Sequence, residues 1–302
     1  MGQVLASYSV HRHNRDCRGY RHVMHHWHDP DGMGTLVCLH GAGVAAELTW
    51  KSMATTLQGY RDVYCPDLRG MGRSHPLGDT EIPFTAHAVA EDVADWLRHC
   101  HVTSYDLVGY SFGGLVALLL HGRGPAARRL VLIESALFER ASIDVLRDLR
   151  QRYADVADQL LTDTDPSAGV LCFLELVAPF RSRHPRVERM TIQRLSARPA
   201  GFAFALKAVN EAAWTLDRAS LIASVPRTLA ILGGNSRPES QALSRQLAET
   251  HSHWSVEVIP GVDHALPYQK PGQVAQAIMR FLGPEALTSG AFAYQSWPKS
   301  WR

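Results

Sequence analysis

No apolar run in this 302-residue chain approaches the length that a membrane-spanning helix needs. Neither sign of charge is in excess. Thirty-one Lys and Arg stand against 29 Asp and Glu, a net charge of +2 that leaves no electrostatic footprint for nucleic acid. Cysteine is sparse: Cys17, Cys38, Cys65, Cys100 and Cys172 are odd in number and show no paired spacing. Free thiols in a reducing compartment are therefore expected. Met1 to Ser7 lack the apolar core of a signal peptide, so the expectation is a soluble, cytoplasmic protein. Nucleotide-binding strings are missing as well, with no G-x-x-x-x-G-K-[ST] and no G-x-G-x-x-G. What is present is 46% hydrophobic and 20% charged, enough for a sizeable core and against wholesale disorder. The length suits one large α/β domain with an insertion, or two small domains.

Apolar runs alternate with helical periodicity. Val4 to Val10 and Arg21 to Trp27 read as short strands able to pair as an edge hairpin, with His11, His13, His22, His25, His26 and His28 in and around them. No carboxylate or cysteine joins these histidines at ligand spacing, so solvent-facing and edge positions are expected rather than a metal site. Thr35 to Leu39, Asp62 to Asp67, Tyr105 to Val108 and Arg129 to Glu134 read as strands, most of them of the fully buried kind, separated by helical stretches. One of these is a helix carrying Leu48, Trp50, Met53, Ala54 and Leu57 on one side. That alternation predicts a parallel sheet with helices on both faces. From Ser142 to about Ser224 the strands stop and proline-punctuated helices take over, over Asp144–Leu161, Val170–Val177, Val187–Leu195 and Phe202–Trp214. Such an insert is too long for a crossover loop and reads as a cap. Phe173, Phe180, Phe202, Phe204 and Trp214 are expected mostly to pack the insert itself. The sheet resumes with Arg227–Leu232 and Trp254–Ile259, followed by a helix over Gln273–Leu282 and a tail with Phe292, Tyr294, Trp297 and Trp301.

Glycine-rich loops follow the strands. His40-Gly41-Ala42-Gly43 ends the first buried strand, and Asp67-Leu68-Arg69-Gly70-Met71-Gly72-Arg73-Ser74 ends the next. Gly109-Tyr110-Ser111-Phe112-Gly113 reads as strand, sharp turn and helix with a serine at the apex, and Gly261-Val262-Asp263-His264 follows the last strand. In type and order these motifs resemble the α/β-hydrolase superfamily, specifically capped esterase-like serine hydrolases, over roughly residues 20 to 283. The resemblance implies a mostly parallel central sheet flanked by helices, with an all-helical cap insertion. The core would span 1–135 and 226–284, the cap 136–225 and a tail 285–302. It implies Ser111 as nucleophile, His264 as general base, and the backbone N–H groups of Ala42 and Phe112 as the oxyanion hole. No cofactor and no metal are implied. The partner is a small-molecule substrate, and the apolar cap suggests a hydrophobic acyl or alkyl group on it.

The carboxylate behind the histidine departs from the usual pattern. Many relatives carry Asp in the loop after the strand that is Thr228–Leu232 here, but this loop reads Gly233-Gly234-Asn235-Ser236-Arg237-Pro238-Glu239. Neither Asn235 nor Ser236 holds a charge against an imidazolium. Some relatives place the acid one strand earlier, a position that Glu134 occupies. Glu134 is thus the first candidate and Glu239 the second, while Asp263 is expected to point elsewhere. The resemblance implies cleavage of an ester-type bond (carboxylic ester, thioester or lactone). An acyltransferase or C–C hydrolase on the same residues, or a receptor-like member with little turnover, are the alternatives.

Overall fold

In the computed structural model the described residues are 8–283, apart from 55, 58, 122 and 124. The chain runs β1 (Ser9–Cys17), β2 (Tyr20–His28), β3 (Thr35–Leu39), α1 (Ala46–Trp50), β4 (Asp62–Asp67), β5 (His75–Pro76), α2 (Ala86–His99), β6 (Tyr105–Tyr110), α3 (Phe112–Leu120) and β7 (Ala127–Ile133). Five helices follow without a strand: α4 (Ile143–Thr162), α5 (Ser167–Val177), α6 (Pro185–Leu195), α7 (Pro199–Thr215) and α8 (Arg218–Ser224). The core then resumes with β8 (Arg227–Gly233), α9 (Pro238–Thr250), β9 (Trp254–Ile259), α10 (Leu266–Gln269) and α11 (Pro271–Leu282). No helix among the described residues is long and apolar enough to cross a membrane.

The strands form one sheet in the order β1-β2-β4-β3-β6-β7-β8-β9, with β5 beside β2. Strands β4, β3, β6, β7, β8 and β9 are parallel, and the β1–β2 hairpin joins β4 antiparallel. The strand pleat divides the core in two. Val37, Leu39, Tyr105 and Leu107 pack under α2, α3, α7 and α9 on one face. Leu36, Cys38, Val108 and Tyr110 face the other side, where Trp50, Met53, Val274 and Ile278 cover them. Each such side chain, fully withdrawn from water, contributes about 1.5–3 kcal/mol.

Several expectations need correction. The first strand lies at Ser9–Cys17, later than Val4–Val10, of which residues 4–7 fall outside the described residues. Its sequence offers no apolar face, and its order comes from full pairing with β2. The helix carrying Leu48 to Leu57 is only Ala46–Trp50, followed by a short 3-10 turn at Lys51–Met53. His22, His25 and His26 are buried instead of solvent-facing. They are tolerated there because carboxylates come from elsewhere in the chain: Asp67 lies 3.1 Å from His25, Asp62 2.8 Å from His26 and Asp92 3.7 Å from His22. The aromatic tail residues lie outside the described residues.

The helical insert is docked over the C-terminal ends of the strands. The Arg198 side chain donates to the Gly72 carbonyl at 3.2 Å and also binds Ser74 and Glu81. Three residues on, Gly201 meets Gly70 backbone to backbone, where a Cβ would fall 1.8 Å from the Gly70 carbonyl oxygen. Phe173 and Phe202 pack edge to face inside the insert at 4.9 Å, while Phe180 and Trp214 are exposed.

Candidate active site

Four loops at the carboxyl ends of β3, β6, β7 and β9 converge, the position where open parallel sheets collect chemistry. The first is the turn from β6 into α3. Side chains at Gly109 and Gly113 would collide, at 2.5 Å from the Gly113 carbonyl oxygen and 2.4 Å from that of Leu39, so only glycine lets the helix start this close to the sheet. Between them Ser111 adopts φ 52° and ψ −115°, a left-handed conformation costly for a non-glycine residue. Its backbone is over-determined: Ser111 N–H donates to Ile133 O at 2.9 Å, and its carbonyl accepts from Gly114 at 2.9 Å and Ala136 at 3.1 Å. Its hydroxyl is thereby held clear of the sheet at the N-terminus of α3.

His264 reaches it from the loop after β9. His264 Nε2 lies 3.2 Å from Ser111 Oγ, and its Nδ1 lies 3.4 Å from Glu134 Oε2. The Tyr110 hydroxyl anchors this loop by donating to the His264 carbonyl at 3.1 Å. Glu134 stands just past β7, again with a positive φ of 46°. Its second oxygen accepts the Gly233 N–H at 2.8 Å, so the carboxylate is fixed by the backbone of β8. The Glu134 and His264 side chains are 8% and 13% exposed. Glu239 is not part of this group: it is exposed in the first turn of α9. Asp263 is held within its own loop, accepting from Ala265 N–H and Gln269 Nε2, each at 2.8 Å. Asn235 is exposed, and Ser236 is buried.

Phe112 is the first residue of α3, where backbone N–H groups have no intrahelical acceptor. Ala42 sits half-buried in the loop after β3, and the adjacent Gly41 packs against Tyr110 and Ser111. One residue that holds this loop escaped the sequence analysis. His40 is fully buried, and its Nδ1 lies 2.7 Å from Gly41 O while Nε2 accepts the Leu68 N–H at 2.9 Å. That pairing fixes a neutral imidazole with its proton on Nδ1, and burial pulls its pKa below the ordinary range. The signal was present, a histidine at a strand end before glycine, but nothing local gives its acceptor, 28 residues away.

A cavity of about 30 Å³, room for about two waters, reaches Glu134 and His264. Leu149, Tyr153, Leu176 and Val177 of the insert wall one side, and Glu139 and Arg237 add charge.

Residues 36–277 match the description alpha/beta hydrolase family. The chain belongs to that family. Its fold is similar to that of a thermophilic esterase from Thermogutta terrifontis, with a TM-score of 0.69 at 25% identity over 94% of this chain and all (100%) of that one. It is 25% identical to 3-oxoadipate enol-lactonase 1 of Acinetobacter baylyi over 77% of this chain and 83% of the relative. A shorter stretch is 38% identical to 2-hydroxymuconate semialdehyde hydrolase of a Pseudomonas species, over 36% of this chain and 39% of the relative. Several of the curated relatives are thus matched over about two fifths of their length.

Proposed function

We propose that this α/β-hydrolase is a serine hydrolase that cleaves an ester-type bond through an acyl-enzyme on Ser111. The observation that carries the reading is the line Ser111–His264–Glu134, with contacts of 3.2 and 3.4 Å. His264 Nε2 takes the Ser111 proton as Oγ adds to the substrate carbonyl. The oxyanion is met by the N–H groups of Phe112 and Ala42, each donor contributing about 3–4 kcal/mol in such sites. Collapse expels the alcohol, thiol or ring oxygen, which takes the proton back from His264. Water then repeats the sequence and releases the acid. Glu134 holds the imidazole in the required tautomer and balances its transient charge.

The insert acts as the cap of this site, and its apolar wall of Leu149, Leu176 and Val177 fits a substrate with a hydrophobic acyl or alkyl group. The likeness to an esterase and a lactonase along most of the chain favours oxygen esters and lactones over other acyl compounds. The local identity to a semialdehyde hydrolase favours, as a second reading, cleavage of a C–C bond beside a carbonyl by the same residues. The cysteines Cys38 and Cys65 are buried and unbridged, which fits a reducing compartment such as the cytoplasm.

Labelling with a fluorophosphonate probe tests the mechanism. The unmodified protein is expected to label and to hydrolyse short-chain p-nitrophenyl esters, and Ser111→Ala to do neither. Equal labelling of both would overturn the assignment, and no labelling of either would favour a receptor-like protein.

A further inference from the structure

The histidines of the edge hairpin take no part in the proposed mechanism. Strands β1 and β2 pair with His11 opposite His26, and β2 pairs with β4 so that His28 stands opposite Asp62. Alternation along a strand puts His11, His13, His26 and His28 on the same face as Asp62. In sequence, no carboxylate joins these histidines at ligand spacing. The fold supplies one from 34 residues away. His26 Nε2 lies 2.8 Å and His28 Nδ1 2.9 Å from the same oxygen, Asp62 Oδ1. One ligand atom from each residue falls within 4.8 Å of the others.

We propose that His26, His28 and Asp62 form a binding site for a first-row divalent cation of the zinc type. Two imidazoles and a carboxylate are a donor set such ions take, with zinc–nitrogen and zinc–oxygen bonds of about 2.0–2.2 Å and tetrahedral geometry. Ligand atoms around such an ion stand about 3.3 Å apart, so the rings move outward by about half an ångström to admit it. The Asp62 and His28 side chains are 19% and 28% exposed, which leaves an approach for the ion and for a water as fourth ligand. His26 is oriented for the role. Its Nδ1 faces His13 Nε2 at 3.4 Å, the outer-shell contact that fixes a ligating histidine, and its ring stacks on Tyr64 at 4.6 Å.

The site is structural. Asp62 begins β4, whereas Ser111 follows the last residue of β6, and the parallel register puts them at opposite ends of the sheet. That is roughly 15–20 Å along the strands. An ion there ties β2 to β4 and, through His13, β1 to both.

The test uses the untagged full chain, stripped with a chelator and titrated with zinc by calorimetry. One zinc per chain is expected, with a higher Tm when loaded. Asp62→Asn and His28→Ala each weaken binding by more than about 100-fold, and His13→Ala weakens it about 10-fold. Cobalt added to the unmodified protein is expected to give the intense visible bands of a tetrahedral site, a readout independent of how the variants fold. Absence of those bands together with no zinc uptake overturns the proposal. So does zinc binding that stays within threefold in both Asp62→Asn and His28→Ala.

Discussion

Glu134→Gln is the substitution that bears most directly on the proposed mechanism. The amide keeps the shape and an oxygen for the Gly233 N–H, at present 2.8 Å from Glu134 Oε1. What it loses is the charge facing His264 Nδ1 at 3.4 Å. With both side chains largely withdrawn from water (8% and 13% exposed), an effective dielectric of about 20 applies and the attraction to an imidazolium is about 5 kcal/mol. The NH2 also faces Nδ1 as a donor and so favours the tautomer with its proton on Nε2, which is unable to accept from Ser111. A loss of about 3–4 powers of ten in kcat is expected, with KM changed less than about threefold. Steady-state kinetics on a p-nitrophenyl ester, with the rate of fluorophosphonate labelling as a second measure, read this directly. Glu239→Gln, on an exposed helix start, serves as the control and is expected to fall within about twofold. If Glu134→Gln retained kcat within threefold, or if Glu239→Gln lost more, the geometry would have been assigned to the wrong carboxylate.

Two further outcomes concern stability. Asp106 is fully buried and accepts from the Tyr60 hydroxyl at 2.7 Å and from Arg128 and Arg129 at 2.8 Å each. Asp106→Asn is expected to cost about 3–5 kcal/mol, towards the low end because the Arg128 and Arg129 side chains are partly exposed, and urea unfolding with a change under 1 kcal/mol would refute this. His40 is neutral in the folded state, whereas the unfolded chain takes a proton on it below about pH 6.5. The unfolded state then binds more protons, so the contribution of His40 is present above that pH and is lost as pH falls, at up to about 1.4 kcal/mol per pH unit. His40→Gln is expected to lower stability at neutral pH but to flatten this slope between pH 6.5 and 5. An unchanged slope in denaturant titrations would contradict a neutral buried imidazole.

The parts of the fold legible in the sequence are those whose causes are local. Strands β3 and β7 are buried on both faces and read as continuous apolar runs. The turn at Ser111 announces itself through glycines that its own close approach demands. Helix α9 begins with Pro238 at its first position, where the missing N–H costs nothing and the fixed φ suits the helix. What was illegible has causes distant in the chain. Strand β1 is polar and mostly exposed, and only pairing with β2 makes it a strand. Helix α8 buries Ile222 alone, so it shows no periodicity, although Asp217 caps it by accepting from Ala219 and Ser220. The buried histidines of β2 read as surface because their carboxylates lie 36 to 70 residues away. Within the candidate site, motif positions indicated Ser111, His264 and Glu134, but the acceptor role of Glu134 toward Gly233 and the locking of the β3 loop by His40 are visible only in three dimensions.

The seat of helix α7 has a kinetic consequence. Arg198 and Gly201 bolt its first turn to the loop at residues 70–74, and nine of its residues are buried. Helix α6, immediately before it, buries only Leu195. The cavity beside His264 is walled instead by Leu149 and Tyr153 of α4 and by Leu176 and Val177 of α5. With a single buried residue to hold it, α6 is expected to open locally before α7, read as faster amide hydrogen exchange over 185–195 than over 199–215.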